Sequence, residues 1–86
     1  MEIIFSERAI QELEYWKKIG EITILKKIKQ LLESIQITPF EGIGKPEALK
    51  HSLSGFWSRR ITQQHRLVYR IDKDKIIVVQ LRFHYE

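Results

Sequence analysis

Residues 56–83 read FWSRRITQQHRLVYRIDKDKIIVVQLRF, and three strand-like runs inside this stretch decide the fold. They are Phe56–Ile61, Arg66–Ile71 and Ile76–Phe83, separated by Thr62–His65 and by Asp72–Lys75. Strand side chains alternate between faces, so Leu67, Tyr69 and Ile71 share one side of the middle run and Arg66, Val68 and Arg70 the other. One face is therefore apolar and the other largely cationic. In the first run Trp57 and Ile61 lie opposite Ser58 and Arg60, with Arg59 interrupting the apolar side. Short connections imply an antiparallel meander, because a tight turn joins only antiparallel neighbours.

The chain ahead of the meander supplies what its apolar face must pack on. Glu2–Phe5 is a brief apolar run that breaks at Ser6, a good helix N-cap whose hydroxyl accepts from a first-turn amide. Ile10, Leu13 and Trp16 then recur at helical spacing up to a stop at Gly20. A second helix carries Ile22, Leu25, Ile28, Leu32 and Ile35 on one face and ends at Thr38–Pro39, since a residue before proline is pushed out of helical geometry. The two helices form an antiparallel hairpin. Residues 38–55 hold Gly42, Gly44, Gly55, Pro39 and Pro46 and read as a long irregular loop, a feature that in so small a domain tends to be functional. The expected architecture is α+β: a helical hairpin packed on one face of a small, mainly antiparallel four- to five-stranded sheet. Residues 1–86 form one domain, and the other sheet face is free.

Composition narrows the function classes. The chain has no cysteine, so neither a disulfide framework nor a thiolate metal site is available, which fits the cytoplasm. Met1–Ser6 does not read as a signal peptide, and no window reaches the length of a membrane span. Net charge is +4, unevenly placed. Residues 1–43 carry six Lys/Arg against seven Asp/Glu, whereas residues 44–86 carry nine against four. A basic half suggests a polyanionic partner, because clustered cations release condensed counterions when they meet phosphates.

The free sheet face, the loop and the C-terminus bring together Arg60, Arg66, Arg70, Arg82, Lys45, Lys50, His51, Glu47 and the pair His84–Tyr85. Cations for phosphates and flat rings for splayed bases are what RNA recognition uses. His51, His65 and His84 show no spacing that supports a metal site, no nucleophile elbow surrounds Ser52, Ser54 or Ser58, and the glycines fit no nucleotide-binding fingerprint. Metal-free RNA cleavage asks for less: the substrate's own 2′-hydroxyl is the nucleophile. The enzyme removes its proton, stabilises the phosphorane and protonates the departing 5′-oxygen. Glu47, Arg66 and His84 suffice for those roles, but composition alone does not select them.

Ordered motif blocks do. Pro39–Gly42, Gly44–Glu47, Leu49–His51, Leu53–Ile61, His65–Tyr69 and His84–Tyr85 together resemble the YoeB/Txe toxins of the RelE/ParE superfamily, and Phe5–Glu7 and Tyr15–Trp16 fit as well. The resemblance implies a RelE-like, microbial-ribonuclease-like fold and a ribosome-dependent messenger-RNA endonuclease that cuts in the A site without a cofactor or metal. It implies Glu47 as general base, Arg66 as the stabiliser of phosphate charge, His84 as general acid and Tyr85 as the ring that stacks on the substrate. Lys45, Lys50, His51, Arg59 and Arg60 match positions that hold phosphates or ribosomal RNA. Implied partners are a YefM/Axe-like antitoxin, the ribosome and its messenger, a second copy of the chain, and promoter DNA through the antitoxin complex alone, with no membrane. Glu86 departs from the pattern by following His84–Tyr85, where its two negative charges compete with RNA for Arg66. The rival readings are a ParE-like gyrase poison, which is not expected to carry Glu47, Arg66, His84 and Tyr85 together, and a nucleic-acid-binding module without turnover. Outside the set, His65 is read as structural or solvent-facing, Trp16 and Trp57 as packing, and Tyr69 as core.

Overall fold

The computed structural model describes residues 1–84, so the expectations for Tyr85 and Glu86 lie outside the described residues. Strand β1 (Glu2–Phe5) leads into helices α1 (Glu7–Lys18) and α2 (Ile22–Ile37). A short β2 (Glu47–Ala48) precedes the meander β3 (Trp57–Arg60), β4 (Arg66–Asp72) and β5 (Lys75–Gln80). The five strands form one sheet in the order β1-β5-β4-β3-β2, and the α hairpin covers one face. Every pairing is antiparallel except that of β1 with β5, which is parallel. The α+β expectation holds. The parallel edge was not anticipated, since nothing local in Glu2–Phe5 specifies a partner some seventy residues away.

Local signals set the helix ends. The Ser6 hydroxyl accepts from the Ala9 amide at 3.1 Å and caps α1. Gly20, at φ 71, turns the chain between the helices, and Thr38 caps the end of α2. The apolar stripes are rotated from the expected ones. Ala9 and Leu31 are fully buried, whereas Ile10 and Ile22 are 50% and 59% exposed. The core joins Trp16, Ile28, Leu31 and Ile35 to Leu67, Tyr69, Ile76 and Val78 from the sheet. The Trp16 indole donates to the Leu81 carbonyl at 2.9 Å, so the buried ring leaves no orphan N–H.

Arg59 corrects the expectation that it faces RNA. It sits on the helix-covered side of β3 with no exposed surface. Nε donates to the Tyr69 hydroxyl at 3.2 Å. Nη1 donates to Ser34 Oγ at 2.7 Å and the Ile43 carbonyl at 3.2 Å, and Nη2 to the carbonyls of Thr38 at 2.7 Å and Glu41 at 2.6 Å. All five N–H groups are engaged, and the charge lies at the carbonyl end of α2, where the helix dipole favours a cation. Tyr69 passes the network on, donating to the Pro39 carbonyl at 2.6 Å. The guanidinium is thus the hub that folds residues 38–44 onto the core, because a buried cation is tolerated only when fully paired.

Gly44 fixes where that loop delivers its next residues. It has φ 82, and a Cβ there would stand 2.6 Å from Leu31 Cδ2 and 3.1 Å from Arg59 Cβ. Only glycine allows this approach, and the Gly44 carbonyl accepts from the Arg60 amide at 2.7 Å. Lys45 and Glu47 follow directly, carried to the edge of the second face. Among the described residues no helix is long and apolar enough to cross a membrane.

Candidate functional site

Sheet register assembles the site on the face away from the helices. Glu47 of β2 pairs with Ser58 of β3, Ser58 with Val68 of β4, and Val68 with Gln80 of β5. These four make one row across the sheet. The next row begins with Arg60 opposite Arg66, two like charges placed directly across a strand pair. Such a pair is unfavourable in isolation and calls for an anion between or above the two groups. Residues 82–84 follow on the same edge, where the Arg66 amide donates to the Phe83 carbonyl at 2.9 Å.

Lys45, Pro46, Glu47, Ser58, Arg60, Arg66 and His84 line a polar cavity of about 470 Å³. Two further cavities extend it. Gln63 and Gln64 border one of about 520 Å³ that shares Arg60, Arg66 and His84. Lys50, His51, Leu49 and Leu53 border another, of about 320 Å³, that shares Glu47. The result is a cationic groove crossing the sheet, with the carboxylate near its middle.

Each side chain is held differently. Arg66 is 9% exposed, and Nη1 donates to the carbonyls of Thr62 and Gln63, both at 2.9 Å, and of His65 at 3.2 Å. Among the described residues its side-chain hydrogen bonds all pass through that one nitrogen, and the residue lines the cavity. Lys45, Glu47, Arg60 and His84 are exposed at the rim. Lys50 and His51, also exposed, belong to the neighbouring cavity and a single 3₁₀ turn. Among the described residues no three His, Cys, Asp or Glu side chains converge in a way that would hold a metal.

The structure places seven of the expected site residues along this groove: Lys45, Glu47, Lys50, His51, Arg60, Arg66 and His84. Arg59 points the other way, as described above. Arg82, expected on the basic face, instead stacks its guanidinium 3.7 Å from the Tyr15 ring centroid on α1. The last strand, expected to run to Phe83, ends at Gln80. A bulge is responsible: Tyr69 pairs with Val78 but Val68 with Gln80, leaving Val79 as the extra residue. Beyond it the chain bends, and Phe83 takes a left-handed φ of 67, which for an aromatic residue is strained backbone.

Sequence reading missed two participants, Ser58 and Gln80, and gave a third, His65, its structural part without its contact. Ser58 lines the cavity, and the alternation of β3 already placed it on the cationic face. Gln80 is 3% exposed and ends the Glu47 row; no local pattern announces a bulge, so its facing was not readable. His65 was expected to be structural or solvent-facing and proves structural: its Nδ1 accepts from the Phe83 amide at 2.8 Å, and its ring packs edge-on against Trp16. That bond requires an unprotonated Nδ1. Burial holds the imidazole below its usual pKa, reinforced by the charges of Arg82, His84 and Arg66 and opposed by Glu12.

A helical hairpin on a small sheet, with a carboxylate, an imidazole and paired arginines on the far face, defines the class: a compact α+β domain of the RelE-like fold. Residues 5–85 match the profile of the YoeB-like toxin of bacterial type II toxin-antitoxin systems, and the chain belongs to that family. Toxin YoeB of Escherichia coli (strain K12) is 49% identical over 85 residues, covering 99% of this chain and 100% of that one. The solved YoeB/ParE toxin from Agrobacterium tumefaciens superposes with a TM-score of 0.94 at 39% identity, covering 99% of this chain and 100% of its own. A Staphylococcus aureus relative, 42% identical over 99% of this chain and 98% of its own, is solved as a heterotetrameric YoeB-YefM toxin-antitoxin complex (TM-score 0.90) and as a YoeB dimer (TM-score 0.91).

Proposed function

We propose that this chain is a metal-free endoribonuclease that cuts messenger RNA in the ribosomal A site and so halts translation. The observation that carries the reading is the polar cavity that Glu47, Arg60, Arg66 and His84 line together. In this mechanism the Glu47 carboxylate takes the proton of the substrate 2′-hydroxyl as its oxygen attacks the adjacent phosphorus. Arg66 and Arg60 stabilise the charge that accumulates on the non-bridging oxygens, where positioned cations act most strongly. His84, entering the reaction protonated, gives its proton to the departing 5′-oxygen. The products are a 2′,3′-cyclic phosphate, or the 3′-phosphate formed when water opens it, and a 5′-hydroxyl. Tyr85 stacks on and orients the substrate base.

The outer groove serves the same chemistry. Lys45, Lys50 and His51 bind the backbone of the messenger or ribosomal RNA, an electrostatic and sequence-independent contribution. A YefM-like antitoxin silences the protein, as the Staphylococcus aureus complex suggests for its own chain, and the same relative's dimer supports a homodimer here. Promoter DNA is met only through the antitoxin complex.

The test is a map of RNA ends. A translated messenger is incubated with ribosomes and either wild type, Glu47→Ala, Arg66→Ala or His84→Gln. Wild type should leave 5′-hydroxyl ends at A-site codons, and each variant should lose about 10²- to 10⁴-fold in rate. Intact RNA with wild type, or equal cutting by all four proteins, would overturn the assignment.

A further inference from the structure

His84 reaches the cavity on a turn that the backbone alone would not favour, since Phe83 just before it is left-handed. Two side chains with no assigned part in the chemistry hold that turn. Gln80 is 3% exposed, and its Nε2 donates to the carbonyls of Arg82 at 2.8 Å, Phe83 at 3.2 Å and His84. Three carbonyls around one end of a carboxamide admit only the nitrogen there, so its orientation is determined by chemistry. His65 grips the same turn through the Phe83 amide, while the Arg66 amide binds the Phe83 carbonyl.

The bulge at Val79 makes this possible, because it turns Gln80 onto the face of Ser58 and Val68. An apolar residue would fill that place at lower cost, since a buried carboxamide is tolerated only when it is hydrogen-bonded. Here its donors go to the peptide groups that carry His84.

We propose that Gln80 is a positioning residue for His84, with His65 as the second clamp on the same turn. Gln80 does not touch substrate; it fixes where the imidazole stands relative to Arg66 and the scissile phosphate. The proposal rests on the reading of His84 as the general acid.

Two measurements test it. In the first, single-turnover cleavage on programmed ribosomes is compared for wild type and Gln80→Met, each with His84 and with His84→Gln. Methionine keeps the length of glutamine and removes its donors. With His84 present the change should lower the maximal rate by about 10- to 100-fold, as a misplacement of order 1 Å does, with little change in half-saturating ribosome concentration. In the His84→Gln background the same change should cost less than about 2-fold, since the residue it acts through is gone. An equal loss in both backgrounds, or no loss in either, would overturn the proposal. In the second, amide spectra of the free proteins should show Phe83 and His84 displaced by Gln80→Met, with the Leu67 and Tyr69 amides unmoved. Unchanged Phe83 and His84 amides would overturn it as well. If wild type leaves RNA intact, the nuclease reading fails while the spectra still judge the positioning. Should Gln80→Met not fold, Gln80→Glu keeps the volume, faces oxygen to the three carbonyls and is expected to show the same pattern.

Discussion

Arg59 and Arg60 are neighbours on β3, identical in side chain and opposite in fate. Arg59 points into the helix-covered face, where no part of it is exposed and all five N–H groups meet oxygen acceptors. Arg60 points to the other face, exposed at the rim of a polar cavity and set directly across from Arg66. The first is a cation whose anionic demand the protein satisfies internally, with carbonyl dipoles and the end of α2. The second is one of two like charges set across a strand pair, on a cavity that Glu47 also lines. The alternation of one strand thus assigns one guanidinium to the core and the next to the open cavity. Charge by itself does not distinguish the two, because only the supply of acceptors on each face does.

The largest effect should come from breaking the internal side. Arg59→Met leaves the acceptors on Thr38, Glu41, Ile43, Ser34 and Tyr69 without their donor, and a loss of about 3–5 kcal/mol is expected. Urea unfolding measures it, and a loss below about 1 kcal/mol would show that the hub does not organise the 38–44 loop. Gly44→Ala attacks the same loop sterically, meeting Leu31 at 2.6 Å in a left-handed backbone. It should cost about 2 kcal/mol by the same measurement and lower cleavage by displacing Lys45 and Glu47. An unchanged midpoint with full activity would remove the glycine requirement.

Breaking the binding side should leave the fold intact. Arg60→Gln relieves the repulsion with Arg66, so stability should stay within about 0.5 kcal/mol of wild type or rise slightly. RNA affinity should fall about tenfold, and the slope of log affinity against log salt should shrink by about 0.7, the signature of one lost phosphate contact on a single strand. A stability loss as large as that of Arg59→Met would erase the contrast between the two arginines.

The smallest effect concerns pH. The His65 pKa is lowered in the fold from 6.5, by burial first and then by Arg82, His84 and Arg66, against Glu12. The unfolded chain therefore binds the proton more readily. The stabilising contribution of neutral His65 is complete above about pH 6.5 and is lost as pH falls from there through the folded-state value. Unfolding curves between about pH 8 and pH 5 should show this decline in wild type and a shallower one in His65→Asn. Identical slopes would show that the Phe83 clamp does not depend on a neutral ring.

Much of the architecture was legible because it is written locally. The alternation of Leu67, Tyr69 and Ile71 with Arg66, Val68 and Arg70, the Ser6 cap and the Thr38–Pro39 stop each act within a few residues. Motif order singles out Glu47, Arg66 and His84 as candidates, but nothing local announces β2, since two residues inside a glycine- and proline-rich stretch carry no periodicity. The interruption of an apolar face by Arg59 is visible in the sequence, but the acceptors that meet it there are not, since they come from Ser34, Thr38, Glu41 and Ile43.

The sequence by itself determined the two helices, the strands other than β2, the cationic character of one sheet face and the family to which the chain belongs, because hydrophobic period, caps and ordered motifs are properties of neighbouring residues. Tertiary structure decided the parallel β1–β5 edge, the burial of Arg59 and the bulge that turns Gln80 toward the His84 turn. Each of these depends on acceptors and partners brought from distant parts of the chain, and only the closed fold places them within hydrogen-bond distance.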